Sequence, residues 1–124
     1  MARIILAEDD DIFAELVSDA LIGAGHGVGV LDNGKDALAV IRARKPDVVV
    51  LDCNMPEASG ITVLREMRKS PDMHAIPVLM LTGRRNASDV DIAYYEGASD
   101  YLKKPCDPSE VVFRVEELLA KRGG

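Results

Sequence analysis

Lys45-Pro46-Asp47-Val48-Val49-Val50-Leu51-Asp52-Cys53-Asn54-Met55-Pro56 is a breaker, an apolar run, a carboxylate and a loop, in that order. An unbroken β-branched run suits a strand buried on both faces, as in a parallel sheet. Asp52 stands where the run stops, and the same arrangement recurs along the chain. Glu8 and Asp9 follow Ile4-Ile5-Leu6-Ala7, Thr82 follows Val78-Leu79-Met80-Leu81, and Lys104 follows Tyr101-Leu102-Lys103. If these runs are parallel strands, their C-terminal ends share one sheet edge, where open α/β folds place their ligands. Carboxylates, a hydroxyl and an ammonium gathered there suit a divalent cation and a phosphoryl group.

The intervening segments read as helices. Asp10–Ala24 places Phe13, Leu16, Val17, Ala20 and Leu21 at helical spacing, and Gly23, Gly25 and Gly27 end it. Val28–Leu31 is a second strand, Asp32-Asn33-Gly34 a turn, and Asp36–Ala43 a helix with Ala37, Leu38 and Ile41 on one side. After the strand Asp47–Leu51, the loop Met55–Gly60 opens a helix carrying Val63, Leu64 and Met67. Ile76–Leu81, a less apolar helix at Ala87–Tyr95, Asp100–Lys103 and a helix over Pro108–Lys121 complete the alternation. The pattern predicts an α/β fold: a doubly wound, five-stranded parallel sheet, (βα)5 and flavodoxin-like, with strand order 2-1-3-4-5.

Bulk properties narrow the function. At 124 residues the chain is expected to be one domain, residues 1–124. A net charge of −6 disfavours direct binding to nucleic acid, whose phosphates repel it. Cys53 and Cys106 lack zinc or disulfide spacing and read as reduced thiols. No signal peptide or membrane span is evident, so a cytoplasmic location is expected. His26 and His74 fall in turns and are read as exposed.

Asp10 or Asp11 can cap the helix that follows, but Glu8 and Asp9 belong to the strand end. Carboxylates roughly 4 Å apart repel by about 4 kcal/mol at an effective dielectric near 20. A cation resolves that conflict, and hard oxygen donors with few protein ligands favour Mg²⁺. Lys104 supplies a fixed positive charge, and Asp52 among these groups can act as a nucleophile toward phosphorus.

Together these residues resemble the receiver domain of two-component response regulators, over essentially the whole chain. The blocks are Ile5-Leu6-Ala7-Glu8-Asp9-Asp10, Val49-Val50-Leu51-Asp52-Cys53-Asn54-Met55-Pro56 with Gly60 beyond it, Leu79-Met80-Leu81-Thr82-Gly83, and Gly97-Ala98-Ser99-Asp100-Tyr101-Leu102-Lys103-Lys104-Pro105. The resemblance implies that Asp52 accepts a phosphoryl group from a phosphohistidine on a sensor histidine kinase or histidine phosphotransferase. It implies Mg²⁺ held by Asp9, Asp52 and the Asn54 backbone carbonyl, with Glu8 acting mainly through water. Lys104, preceding a cis Pro105, would pair with the phosphoryl oxygens, Thr82 would hydrogen-bond them, and Tyr101 would turn inward.

The output face toward a downstream effector would be the fourth helix, fifth strand and fifth helix. Such a domain is a switch rather than a metabolic enzyme, catalysing only its own phosphorylation and dephosphorylation. It occurs alone or within a longer regulator or hybrid kinase. Some DNA-binding relatives dimerise on phosphorylation through that face. Asp100, Glu110 and Arg114 are candidates for such pairing, although Val90 stands where a basic partner is expected and ordinary solvated charges are the simpler reading. Cys106 replaces a frequent aromatic, Gly83 leaves the pocket open, and Asn54 and Arg84 sit where dephosphorylation is tuned. Two rivals share the fold class. An aspartyl-phosphate phosphatase lacks its second acid, since Asn54 stands there, and a flavin carrier would meet the hostile loop Glu8-Asp9-Asp10-Asp11.

Overall fold

The computed structural model describes residues 1–83, 93, 94 and 96–123. The five expected strands are present: β1 (Arg3–Ala7), β2 (Gly27–Leu31), β3 (Val48–Asp52), β4 (Val78–Thr82) and β5 (Asp100–Lys103). They form one parallel sheet in the order β2-β1-β3-β4-β5. Helices α1 (Asp11–Gly23), α2 (Gly34–Arg44) and α3 (Gly60–Lys69), with the C-terminal helix Pro108–Gly123, cover its two faces. Of the expected helix at Ala87–Tyr95 only Ala93 and Tyr94, both helical, are among the described residues, and Arg84 and Val90 lie outside them.

Strand alternation sorts the core into two layers. Ile5, Ala7, Val49, Leu51 and Met80 pack with α2 and α3. Ile4, Leu6, Val48, Val50, Leu79, Leu81 and Leu102 pack with α1 and the C-terminal helix. Every residue of β3 is buried, as its apolar run requires. Burying Val48 through Leu51 contributes about 6–10 kcal/mol, an upper range, enough to carry a costly carboxylate at the strand end.

Helix ends follow the polar residues around them. The Asp10 side chain accepts from the N–H groups of Ile12 and Phe13, so the capping role falls to Asp10 rather than Asp11. Asn33 caps α2, which therefore begins at Gly34 and not at Asp36. Leu16, expected inside, is 52% exposed; Ala14, Val17 and Leu21 form the inner stripe of α1 instead. On α3, the half-buried Arg68 guanidinium donates to the main-chain oxygens of His74 (3.0 Å), Ile76 (2.8 Å) and Gly97 (2.9 Å).

His74 is exposed as expected, but the His26 reading needs correction. The His26 side chain is only 8% exposed. Its Nδ1 accepts from the Ala2 N–H at 3.2 Å, and its Nε2 lies 3.3 Å from Glu116. A turn residue was read as solvated because nothing local reveals that the first strand and last helix close over it. No described helix is long and apolar enough to cross a membrane.

Candidate functional site

Register brings the strand-end groups together. Ala7 lies beside Leu51 across the β1–β3 pair, so Glu8 and Asp52 are adjacent at the next step. Asp52 faces Leu81 across β3–β4, and Thr82 faces Lys103 across β4–β5. The ladder continues one residue past the strands: the Lys104 N–H donates to the Thr82 oxygen at 2.6 Å, and the Glu8 N–H to the Leu31 oxygen at 2.9 Å. Alternation then divides the groups. Glu8, Asp52 and Lys104 continue the parity of Leu6, Val50 and Leu102, on the α1 side. Thr82 takes the parity of Met80, in the cluster that also holds Tyr101.

The charges are tightly packed. Glu8 and Asp52 are buried, while Asp9 is exposed. One carboxylate oxygen from each of Glu8, Asp9 and Asp52 lies within 4.8 Å of the others. The Lys104 ammonium pairs with Glu8 and stands 3.6 Å from Asp52 Oδ1. The second Glu8 oxygen accepts from the Asp10 N–H at 3.1 Å. The Asn54 N–H approaches Asp52 Oδ1 at 3.5 Å.

Burial and then the Glu8 charge push the Asp52 carboxyl up from its ordinary 3.8 to about 7, although the Lys104 cation pulls it down. Burial presses the Lys104 ammonium toward neutrality, yet the Glu8 pair and the Asp52 charge outweigh it and hold its pKa above the usual lysine value. The cluster thus carries more negative charge than one lysine neutralises. A divalent cation among Glu8, Asp9 and Asp52 fits that excess, and an all-oxygen donor set fits Mg²⁺.

The remaining candidates sit around this core. Thr82 is fully buried at the end of β4. Tyr101 is already inward, 8% exposed, with its ring centroid 6.4 Å from that of Tyr94. The Lys104–Pro105 peptide is cis. Asn54 is exposed on the loop after β3. A cavity of about 340 Å³, lined by Asp10, Phe13, Gly83, Lys104, Pro105 and Cys106, opens beside the lysine. Neither cysteine forms a disulfide.

Sequence reasoning missed Phe13, whose ring centre lies 5.0 Å from Lys104 Nζ and steers the ammonium from the α1 side. Its signal was an aromatic in the first turn after an acidic strand end, read only as core. Asp100, Glu110 and Arg114 are engaged within the chain: Arg114 donates to Asp100 at 3.0 Å and lies 3.8 Å from Glu110.

Comparison with known proteins identifies the family. The family model for the response regulator receiver domain matches residues 4–116. The DNA-binding response regulator MtrA of Mycolicibacterium smegmatis is 36% identical over 119 residues, covering 96% of this chain and 51% of its own length. The chain spans about half the length of the curated relatives it matches. The receiver domain of the Francisella response regulator 1452 superposes with a TM-score of 0.91 at 29% identity, over 98% of this chain and 99% of that one. The receiver domain of a signal transduction histidine kinase from Syntrophus aciditrophicus gives a TM-score of 0.90 at 30% identity, over 98% of this chain and 92% of that one. By sequence and by fold, this chain belongs to the response regulator receiver domain family of two-component signalling.

Proposed function

We propose that the chain is a phosphorylation-controlled switch in which Asp52 is the phosphoacceptor. The observation carrying this reading is a buried strand-end carboxylate, its pKa raised to about 7, standing between two further acids and an ammonium. Asp52 attacks the phosphorus of a phosphohistidine; an O–P bond forms, the N–P bond breaks, and the imidazole nitrogen leaves and takes a proton from solvent. Attack of water on the same phosphorus later releases inorganic phosphate and regenerates the carboxylate.

Asp9, Asp52 and the Asn54 carbonyl would hold Mg²⁺, with Glu8 reaching it mainly through water. When bound, the ion supplies positive charge against the phosphoryl oxygens. Lys104 supplies the other share from the opposite side. Thr82 then donates its hydroxyl to a phosphoryl oxygen, and Tyr101 behind it holds the inward position. Moving a switch from 1:99 to 99:1 takes about 5.5 kcal/mol of differential stabilisation, which these new contacts to three acceptor oxygens are suited to provide.

A sensor histidine kinase or histidine phosphotransferase is the phosphodonor in this reading, and the location is cytoplasmic. Output passes to a downstream effector through β5, the C-terminal helix and the segment before them. The acidic balance argues for protein partners rather than direct nucleic-acid contact. Because Arg114 already serves Asp100, phosphorylation-dependent pairing of two copies there requires that salt bridge to open.

Incubation with acetyl phosphate, with and without Mg²⁺, followed by intact mass tests the chemistry. The expected result is a single Mg²⁺-dependent, hydroxylamine-labile phosphoryl adduct, absent from Asp52→Ala. An adduct that persists in that variant refutes the assignment.

A further inference from the structure

The loop from Cys53 to Ser59, which carries Asn54, is held from two sides by main-chain contacts. At its far end, the Gly60 N–H donates to the Cys53 oxygen at 3.0 Å, and a Cβ on Gly60 would lie 2.1 Å from the Asp52 oxygen. Across the loop stands the first residue of α2. The Gly34 N–H donates to the Pro56 oxygen at 3.2 Å. A Cβ on Gly34 would lie 2.0 Å from the Ala58 oxygen and 2.7 Å from its carbonyl carbon. Backbone, unlike a flexible side-chain tip, cannot step aside from such an overlap without moving the loop.

The loop also contains a strained residue. Glu57 has φ +71°, a conformation that non-glycine residues adopt only where surroundings enforce it. The enforcing surface is α2, whose first turn is fixed by Asn33: its side-chain oxygen accepts from the Asp36 N–H at 2.8 Å. The loop is thus pressed into one path between the end of β3 and the start of α2.

We infer that Gly34 is a positioning residue for the divalent-cation site, acting through the loop that presents the Asn54 carbonyl. This rests on the Mg²⁺ reading above. Gly34 touches neither cation nor phosphoryl group; it lets α2 and the loop approach closely enough that the carbonyl and the Asp52 carboxylate serve one ion. A side chain there displaces one ligand and leaves Glu8, Asp9 and Asp52 where they are.

The test is calorimetric Mg²⁺ titration, with amide NMR of the loop, on wild type, Gly34→Ala, Asn33→Ala and Ala39→Gly. Gly34→Ala is expected to weaken Mg²⁺ binding about tenfold or more, as loss of a supporting contact to a metal ligand does, and to shift the amides of residues 53–59. Ala39→Gly destabilises the exposed middle of α2 without adding bulk against the loop and is expected to keep the affinity within about twofold. Should Gly34→Ala fail to fold, Asn33→Ala decides, because it loosens the same turn without adding bulk; weaker Mg²⁺ binding is expected, and unchanged binding overturns the inference. Wild-type affinity in Gly34→Ala, or an equal loss in Ala39→Gly, overturns it as well. Absence of any Mg²⁺ response in wild type would instead remove the reading on which it rests.

Discussion

The two ends of the sheet treat their polar groups in opposite ways. At the N-terminal ends of the strands, each group described has a neutralising or hydrogen-bonded neighbour. His26 bridges Ala2 and Glu116, Asp47 accepts from the Arg3 N–H at 2.8 Å, and the Ser99 hydroxyl accepts from the Val78 N–H at 3.0 Å. At the C-terminal ends, Glu8 and Asp52 share one ammonium, and the Asp52 carboxyl is driven up to about 7. One end is settled by the fold itself, whereas the other is settled only when something positive, or a proton, arrives. A sheet built this way can be rigid in one half and responsive in the other.

Neutralising Asp52 should have the largest effect. Its folded pKa lies above its ordinary value, so the folded metal-free protein binds more protons than the unfolded chain between pH 3.8 and about 7. Stability from this group is complete below that window and is lost as pH rises through it. Asp52→Asn should therefore stabilise the metal-free protein by about 4 kcal/mol at pH 8, and by almost nothing near pH 4, in urea titrations. A flat difference across pH would break the contrast between the two ends.

Lys104→Ala comes next. It removes the counter-charge from two buried carboxylates and should cost about 2 kcal/mol at neutral pH, less than a fully buried pair because the lysine is partly exposed. Saturating Mg²⁺ should recover part of the loss. If the metal recovers none, the acids are not competing for positive charge.

Proton and metal should also exclude each other. Mg²⁺ affinity, followed by calorimetry, should fall by up to about tenfold per pH unit below about 7, as one carboxylate proton must be displaced. In Asp52→Asn that slope should flatten. The smallest effect belongs to the settled end: His26→Ala should cost about 1 kcal/mol in urea titration and leave Mg²⁺ affinity unchanged. A change in affinity there would mean that the two ends communicate through the strands.

Legibility in the sequence divides along similar lines. The apolar runs of β1, β3 and β4 announce their strands because burial on both faces leaves no room for alternation. Glu8, Asp52 and Thr82 were visible because each ends such a run, and Lys104 because it precedes Pro105 in the block that resembles the family. What stayed hidden depends on the third dimension. Phe13 beneath Lys104 and His26 beneath the last helix look ordinary locally, since their partners are distant in the chain. Gly34 looked like a turn residue because only the position of Ala58 reveals why a side chain cannot stand there. Leu16 misled in the other direction, keeping helical periodicity while facing solvent.

Arg68 carries a consequence for how this molecule can be studied through its relatives. Its guanidinium grips main-chain oxygens of residues 74, 76 and 97, fastening the end of α3 to the approaches of β4 and β5. Carbonyls are supplied by every amino acid, so exchanges of side chain at His74 or Ile76 leave the grip intact. Correlated substitution, the usual trace of a contact in an alignment, has nothing to register at residues 74 and 76; only Gly97, where a Cβ would lie 2.9 Å from the Arg68 Cγ, ties side-chain identity to the grip. A statistical map of couplings would register Gly97 alone and pass over the hold on residues 74 and 76.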